Sequence, residues 1–151
     1  MKHKKIWIIG LVVIGLAWLS AFFIHQQQLN QQKKLAEQTT LNFFKAMSEG
    51  DASTALQYVW RAEQFNIKPE ASKHYFKDMQ VLELINIRSD SAKGRPAYYT
   101  QFDQLLLVML KVKSVYPDDA GSPAGNYILF VLLAKEKPDS EWLITEIGTG
   151  P

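Results

Sequence analysis

Tyr99 and Asp103 stand four positions apart, just ahead of a long apolar run that begins at Leu105. If a strand started early enough to include both, they would share its face. A carboxylate base facing a phenol that stays protonated is the equipment for moving a proton next to a carbonyl, with the phenol stabilising the oxyanion. Tyr58, Tyr98 and His74 are the other polar groups that such a site could recruit. Each has a plainer role. Asp103 suits an exposed position at a strand start, and the tyrosines suit rim or core positions. His74 lies between Lys73 and Lys77 in "SKHYFKD", which suits a solvated helix. The plainer roles are the better supported, so no catalytic residue is assigned.

Other chemistries lack their residues. There are three His and no Cys, which leaves no metal-ligand spacing, no thiolate nucleophile and no disulfide. No G-x-S-x-G elbow, phosphate-binding glycine loop or H-E-x-x-H pair occurs. No cofactor is implied. Lys111, Lys113, Lys135 and Lys137 cluster at strand ends, where lysines keep edges soluble more often than they collect anions. The side chains that would line a pocket are Phe44, Tyr58, Trp60, Tyr99, Asp103 and Trp142.

These residues must be positioned by a small set of elements. "TTLNFFKAMSEGD" predicts a helix capped at Thr39 or Thr40, with Leu41, Phe44 and Met47 on one stripe and Gly50 at its end. Asp51 then caps a second helix over "ASTALQYVW", with Ala55, Leu56, Val59 and Trp60 inward. A third short helix is expected to start near Pro69. After it the period changes to two. Strands are expected at 81–88, 104–116, 126–136 and 141–148, joined by Gly-, Pro- and Ser-containing turns. In the second strand Leu106, Val108, Leu110 and Val112 take one face, and Leu105, Leu107 and Met109 the other. In the last strand Trp142 and Ile144 are expected on one face, and Leu143 and Ile147 on the other. Helices first and antiparallel strands after make the fold α+β: two to three helices packed on a curved four-stranded antiparallel sheet.

An anchor precedes this domain. Ile6–Ile24, "IWIIGLVVIGLAWLSAFFI", carries no charge and would span about 28 Å as a helix, close to the thickness of a bilayer core. Lys2, Lys4 and Lys5 precede it, whereas no Lys or Arg follows until Lys33, so the positive-inside asymmetry places the N-terminus in the cytoplasm. A cleaved signal peptide is the competing reading; the apolar run is long for one, and no A-x-A-like site follows it. The expected organisation is a cytoplasmic tail at 1–5, a transmembrane anchor at 6–24, a polar Gln-rich stalk at 25–38 and an exported α+β domain at 39–151. After His25 there are fourteen basic and fifteen acidic residues, one net negative charge, so the overall +2 gives no support to nucleic-acid binding.

The helix–Gly–Asp–helix run "FFKAMSEGDASTAL", the long strands and the closing "WLITEIG" resemble the nuclear-transport-factor-two-like superfamily, also called SnoaL-like or cystatin-like. The W-x-I…G-T-G-P ending is similar to that of a membrane-anchored family of unknown function in Gram-positive bacteria. The resemblance implies a cone in which helices cup against a bent sheet. It also implies a choice between isomerase- or dehydratase-type enzymes, binding modules and assembly components of secretion or conjugation machines. Fold alone does not choose among them. The residues favour a non-catalytic module at the cell envelope. Its expected partners are the membrane, through 6–24, a small apolar ligand in the cone, and a second copy or an envelope protein on the outer sheet face.

Overall fold

The computed structural model describes residues 2–61, 79–114 and 125–149, with side chains from residue 15 onward in the first stretch. The expected third helix and His74 lie outside the described residues. The chain divides into two compact units, Met1–Lys34 and Leu35–Pro151. The second begins four residues before the expected boundary at Thr39.

The first helix, α1 (Lys2–Ser48), runs on through the polar stretch expected as a stalk. No helix starts at Thr39 or Thr40. Thr40 is fully buried, and its hydroxyl donates back to the carbonyl of Ala36 at 2.8 Å, the bond a mid-helix threonine makes. Ala36, Thr40, Phe43, Phe44 and Met47 form the buried stripe, at the spacing that keeps one helical face inward. Among the described residues no helix is long and apolar enough to cross a membrane. Part of the expected anchor, residues 6–14, lies outside the described side chains.

The helix end follows from two residues. Gly50 takes φ +77°. Its N–H donates to Met47 and the N–H of Asp51 donates to Ala46, which together satisfy carbonyls that the helix end would leave unpaired. Asp51 in turn caps α2 (Ala52–Leu56), accepting from the Thr54 N–H at 3.0 Å and from its hydroxyl at 2.6 Å. That helix is shorter than expected. Tyr58–Trp60 leave it to run beside the last strand: Ile144 donates to the carbonyl of Tyr58, and Trp60 donates to that of Ile144. Val59 and Ile144 form the parallel bridge between them.

The strands are β1 (Gln80–Asp90), β2 (Gln104–Ser114), β3 (Gly125–Lys135) and β4 (Leu143–Gly148). They form one antiparallel sheet in sequence order. β2 and β3 pair without interruption from Gln104–Lys135 to Ser114–Gly125. β1 carries two register shifts, which leave Leu82 and Ile85 as extra residues, and β4 carries one, at Thr145. Extra residues of this kind bend a strand and restart its alternation. In β1 they put Val81, Leu84 and Ile87 on the same face at three-residue intervals. In β4 they send Glu146 to one face and Ile147 to the other, correcting the strict alternation expected there: Ile147 packs with Trp142 and Ile144.

Each face of the sheet carries its own apolar cluster. The larger joins α1 and α2 to Val108, Leu110, Val112, Leu129, Val131, Leu133 and Ile144. The smaller comprises Leu105, Leu107, Leu132 and Ala134, beneath Tyr99. Tyr99 belongs to a 3-10 helix (Ala97–Gln101) in the β1–β2 connection, which folds back over that face together with Phe102 and Ala92.

Candidate functional site

The expected pocket residues separate into two groups. Phe44 and Trp142 are buried in the larger cluster, and Tyr58 packs against it. They are core side chains, packed among residues of α1, α2 and the sheet. Phe43 is another, with its ring edge-on to Phe44 at 5.3 Å.

Trp60 and Tyr99 meet elsewhere, in a layered stack. The Arg61 guanidinium sits 4.5 Å over the Trp60 ring. Trp60 stacks on Tyr98, with 6.0 Å between ring centroids and 6° between planes. Tyr98 lies against Tyr99 at 4.4 Å, and Arg95 closes the far end, 5.4 Å over the Tyr99 ring. The Trp60 indole N–H also donates to Glu136 at 3.0 Å, so the segment after α2 is tied to the β3–β4 turn.

Asp103 does not join Tyr99. It is exposed, and its backbone N–H donates to Lys135 as β2 begins. The carboxylate that does meet Tyr99 is Glu146, whose Oε2 accepts the phenol hydroxyl at 3.1 Å. Arg95 reaches the same oxygen at 3.3 Å and pairs closely with Asp90 on its other side. Burial pushes the Tyr99 phenol up; the Tyr98 side chain and the Glu146 charge push the same way, against a smaller opposing effect of Thr145. Tyr99 is therefore a donor at any physiological pH. For Asp90, burial acts to raise the carboxyl. The Arg95 hydrogen bond, the Ser91 N–H and the charges of Arg95 and Arg88 outweigh it and hold the group below its ordinary range.

This cluster walls a groove of about 400 Å³ on the sheet face opposite α1 and α2. Leu107, Phe130 and Leu132 form its floor. Arg88, Asp90, Arg95, Glu146 and Gly148 form its sides. The register explains the arrangement. Arg88 pairs with Leu107, Leu107 with Leu132, and Leu132 with Glu146, so one row across all four strands reads cation, apolar, apolar, carboxylate. The Thr145 hydroxyl donates to the Leu132 carbonyl at 3.1 Å, at the point where the register shifts. Among the described residues no group of acidic or histidine side chains could hold a metal ion.

None of the six expected pocket residues lines the groove; Tyr99 reaches it only through its hydrogen bond to Glu146, and neither Arg95 nor Glu146 was expected there. One clue was present: Glu146 is a lone charge inside the otherwise uncharged strand "LITEIG".

Scanned against protein-family models, curated proteins and solved structures, the chain matches none of them.

Proposed function

We propose that the chain is a membrane-tethered binding module whose 39–151 domain works outside the cytoplasm and carries out no reaction of its own. The groove is the observation that carries this reading. It is open, has an apolar floor, and has polar walls whose orientation is fixed by hydrogen bonds, the usual design of a small-ligand site. The cone belongs to the same reading, with the register shifts in β1 and β4 as the source of the bend.

The tether is supported by the uncharged run Ile6–Ile24 and its flanking lysines. Leu16, Trp18, Leu19, Phe22, Phe23 and Ile24 are each more than half exposed. At 100° per residue they point all around α1, and apolar side chains on every side of a helix are a match for lipid rather than for one packed neighbour.

The acid–base alternative fits less well. Its two groups, Tyr99 and Asp103, do not meet, and Tyr99 is bound to a carboxylate that Arg95 also holds. A protein contact on the outer sheet face has lost part of its motive, because the 3-10 helix already covers Leu105, Leu107, Leu132 and Ala134.

The chain has no Cys, so a single Asp139→Cys in the exposed β3–β4 turn reports topology. The full chain should stay in the membrane through alkaline carbonate extraction, and an impermeant maleimide should label it in intact cells. Extraction, or labelling only after lysis, removes the tether or its orientation. Binding is tested by chemical-shift screening of the full chain in nanodiscs against a library of water-soluble amphiphiles. Shifts confined to groove residues support the module, and their absence across the library removes it.

A further inference from the structure

The groove has, on each side, one charged group with hydrogen-bonding capacity to spare. Arg88, on β1, is exposed and forms no hydrogen bond or ion pair with any described residue. Its influence on Asp90 is through charge alone. Across the floor, Glu146 uses only Oε2 for Tyr99 and Arg95, and Oε1 accepts nothing from any described residue. The carboxylate, which lines the groove, is thus held by two donors on one oxygen. A charge fixed in place before its ligand arrives loses little on binding. Arg95, by contrast, is committed to Asp90 and Glu146 and has little to offer a ligand.

The spacing between the two groups is set by the sheet. Arg88 and Glu146 sit on the outer strands of one four-residue row, so their Cα atoms stand about 14 Å apart at the usual strand separation. Leu107 and Leu132 lie between them. An anion alone would leave the carboxylate facing it across an apolar floor, and a cation alone would leave the arginine so. A ligand with opposite charges at its two ends satisfies both.

We infer that the groove binds a small zwitterion with an apolar middle, its anionic group at Arg88 and its ammonium at Glu146 Oε1. This rests on the binding-module reading and specifies its ligand. The class includes short apolar peptides with free termini: an extended tripeptide separates its terminal charges by about 10 Å, which the row can accommodate. The register shift at Thr145 supports the assignment. Shifts of this kind recur where a side chain is re-aimed beside a site, and here the residue after the shift is the one charged group on β4.

The probe is tri-leucine, titrated into the full chain in nanodiscs and followed by backbone chemical shifts. Three companions accompany it: N-acetylated, C-amidated, and doubly capped. Tri-leucine should shift Arg88, Leu107, Leu132 and Glu146. Each single cap should weaken binding at least tenfold, as should Arg88→Gln and Glu146→Gln. Arg88→Gln changes an exposed side chain that makes no hydrogen bond or ion pair with any described residue, and unchanged shifts outside the groove would show the fold intact. If the doubly capped peptide binds as well as tri-leucine, or the variants bind unchanged, the zwitterion assignment is overturned. No shift at millimolar tri-leucine also overturns it. In that case an amphiphile of other chemistry that perturbs the same groove leaves the module standing, whereas silence across the whole library brings down both.

Discussion

Tyr99 donates its hydroxyl to Glu146 Oε2 at 3.1 Å, joining the 3-10 helix to the last strand across 47 positions of sequence. The bond closes a loop over the smaller apolar cluster and fixes one wall of the groove. Because burial keeps the phenol protonated, the donor is present wherever the fold is. Burial pushes the Tyr99 phenol above the ordinary tyrosine range. In an ultraviolet tyrosinate titration, wild type and Tyr99→Phe should coincide through the ordinary tyrosine range near pH 10 and separate only above it. A phenol missing from the variant's titration near pH 10 would contradict the placement.

Asp90 makes the opposite prediction. Its carboxyl is held below its unfolded value, so its contribution to stability is complete above about pH 4 and is lost as pH falls through the lower, folded value. Asp90→Asn should therefore lower the thermal midpoint at pH 7, and the gap from wild type should narrow on acidification below pH 4. A gap that is constant across that range would show that the Asp90–Arg95 pair contributes nothing linked to ionisation.

At Gly50 an added Cβ would meet no atom within 4 Å, so the only objection to a side chain is the backbone, at φ +77°. Gly50→Ala should cost about 1–2 kcal/mol, the left-handed penalty. Gly50→Asn should recover part of it, since asparagine tolerates that region better. Equal stability of both variants with wild type, read by denaturant melts, would mean the turn is formed some other way.

Leu133 is fully buried in the larger cluster. Leu133→Ala should cost about 2–5 kcal/mol through lost burial and the cavity left behind. Leu107→Ala, on the groove floor, should cost less, because one side of that residue already faces open space. Reversal of this order in equilibrium unfolding would place the main core on the wrong face of the sheet.

What could be read from the sequence follows the regularity of the backbone. β2 and β3 pair without a shift, so strict alternation gave both faces of Leu105–Val112 correctly. β1 and β4 contain extra residues, and an extra residue reverses every later assignment on its strand. Nothing in "VLELINIR" marks Leu82 and Ile85 as the extra residues, since both are apolar like Val81, Leu84 and Ile87. The helix boundary failed for a different reason. A threonine can cap a helix or bond back within one, and only the helical path of the residues before it decides between the two. In the site, Tyr99 was visible as a phenol near a strand, but its partner depends on the return of the chain 47 positions later. Proximity in sequence favoured Asp103, and the fold brings Glu146 instead.

The two extra residues in β1 have a consequence beyond the groove. β1 lies at the margin of the described sheet and is eleven residues long, with Leu82 and Ile85 exposed. A flat strand of that length and composition would invite another molecule to add itself and begin a fibril. Each shift interrupts the row of donors and acceptors and twists the strand away from a straight template. The irregularity that conceals this strand's faces in the sequence also makes the strand a poorer template for another chain.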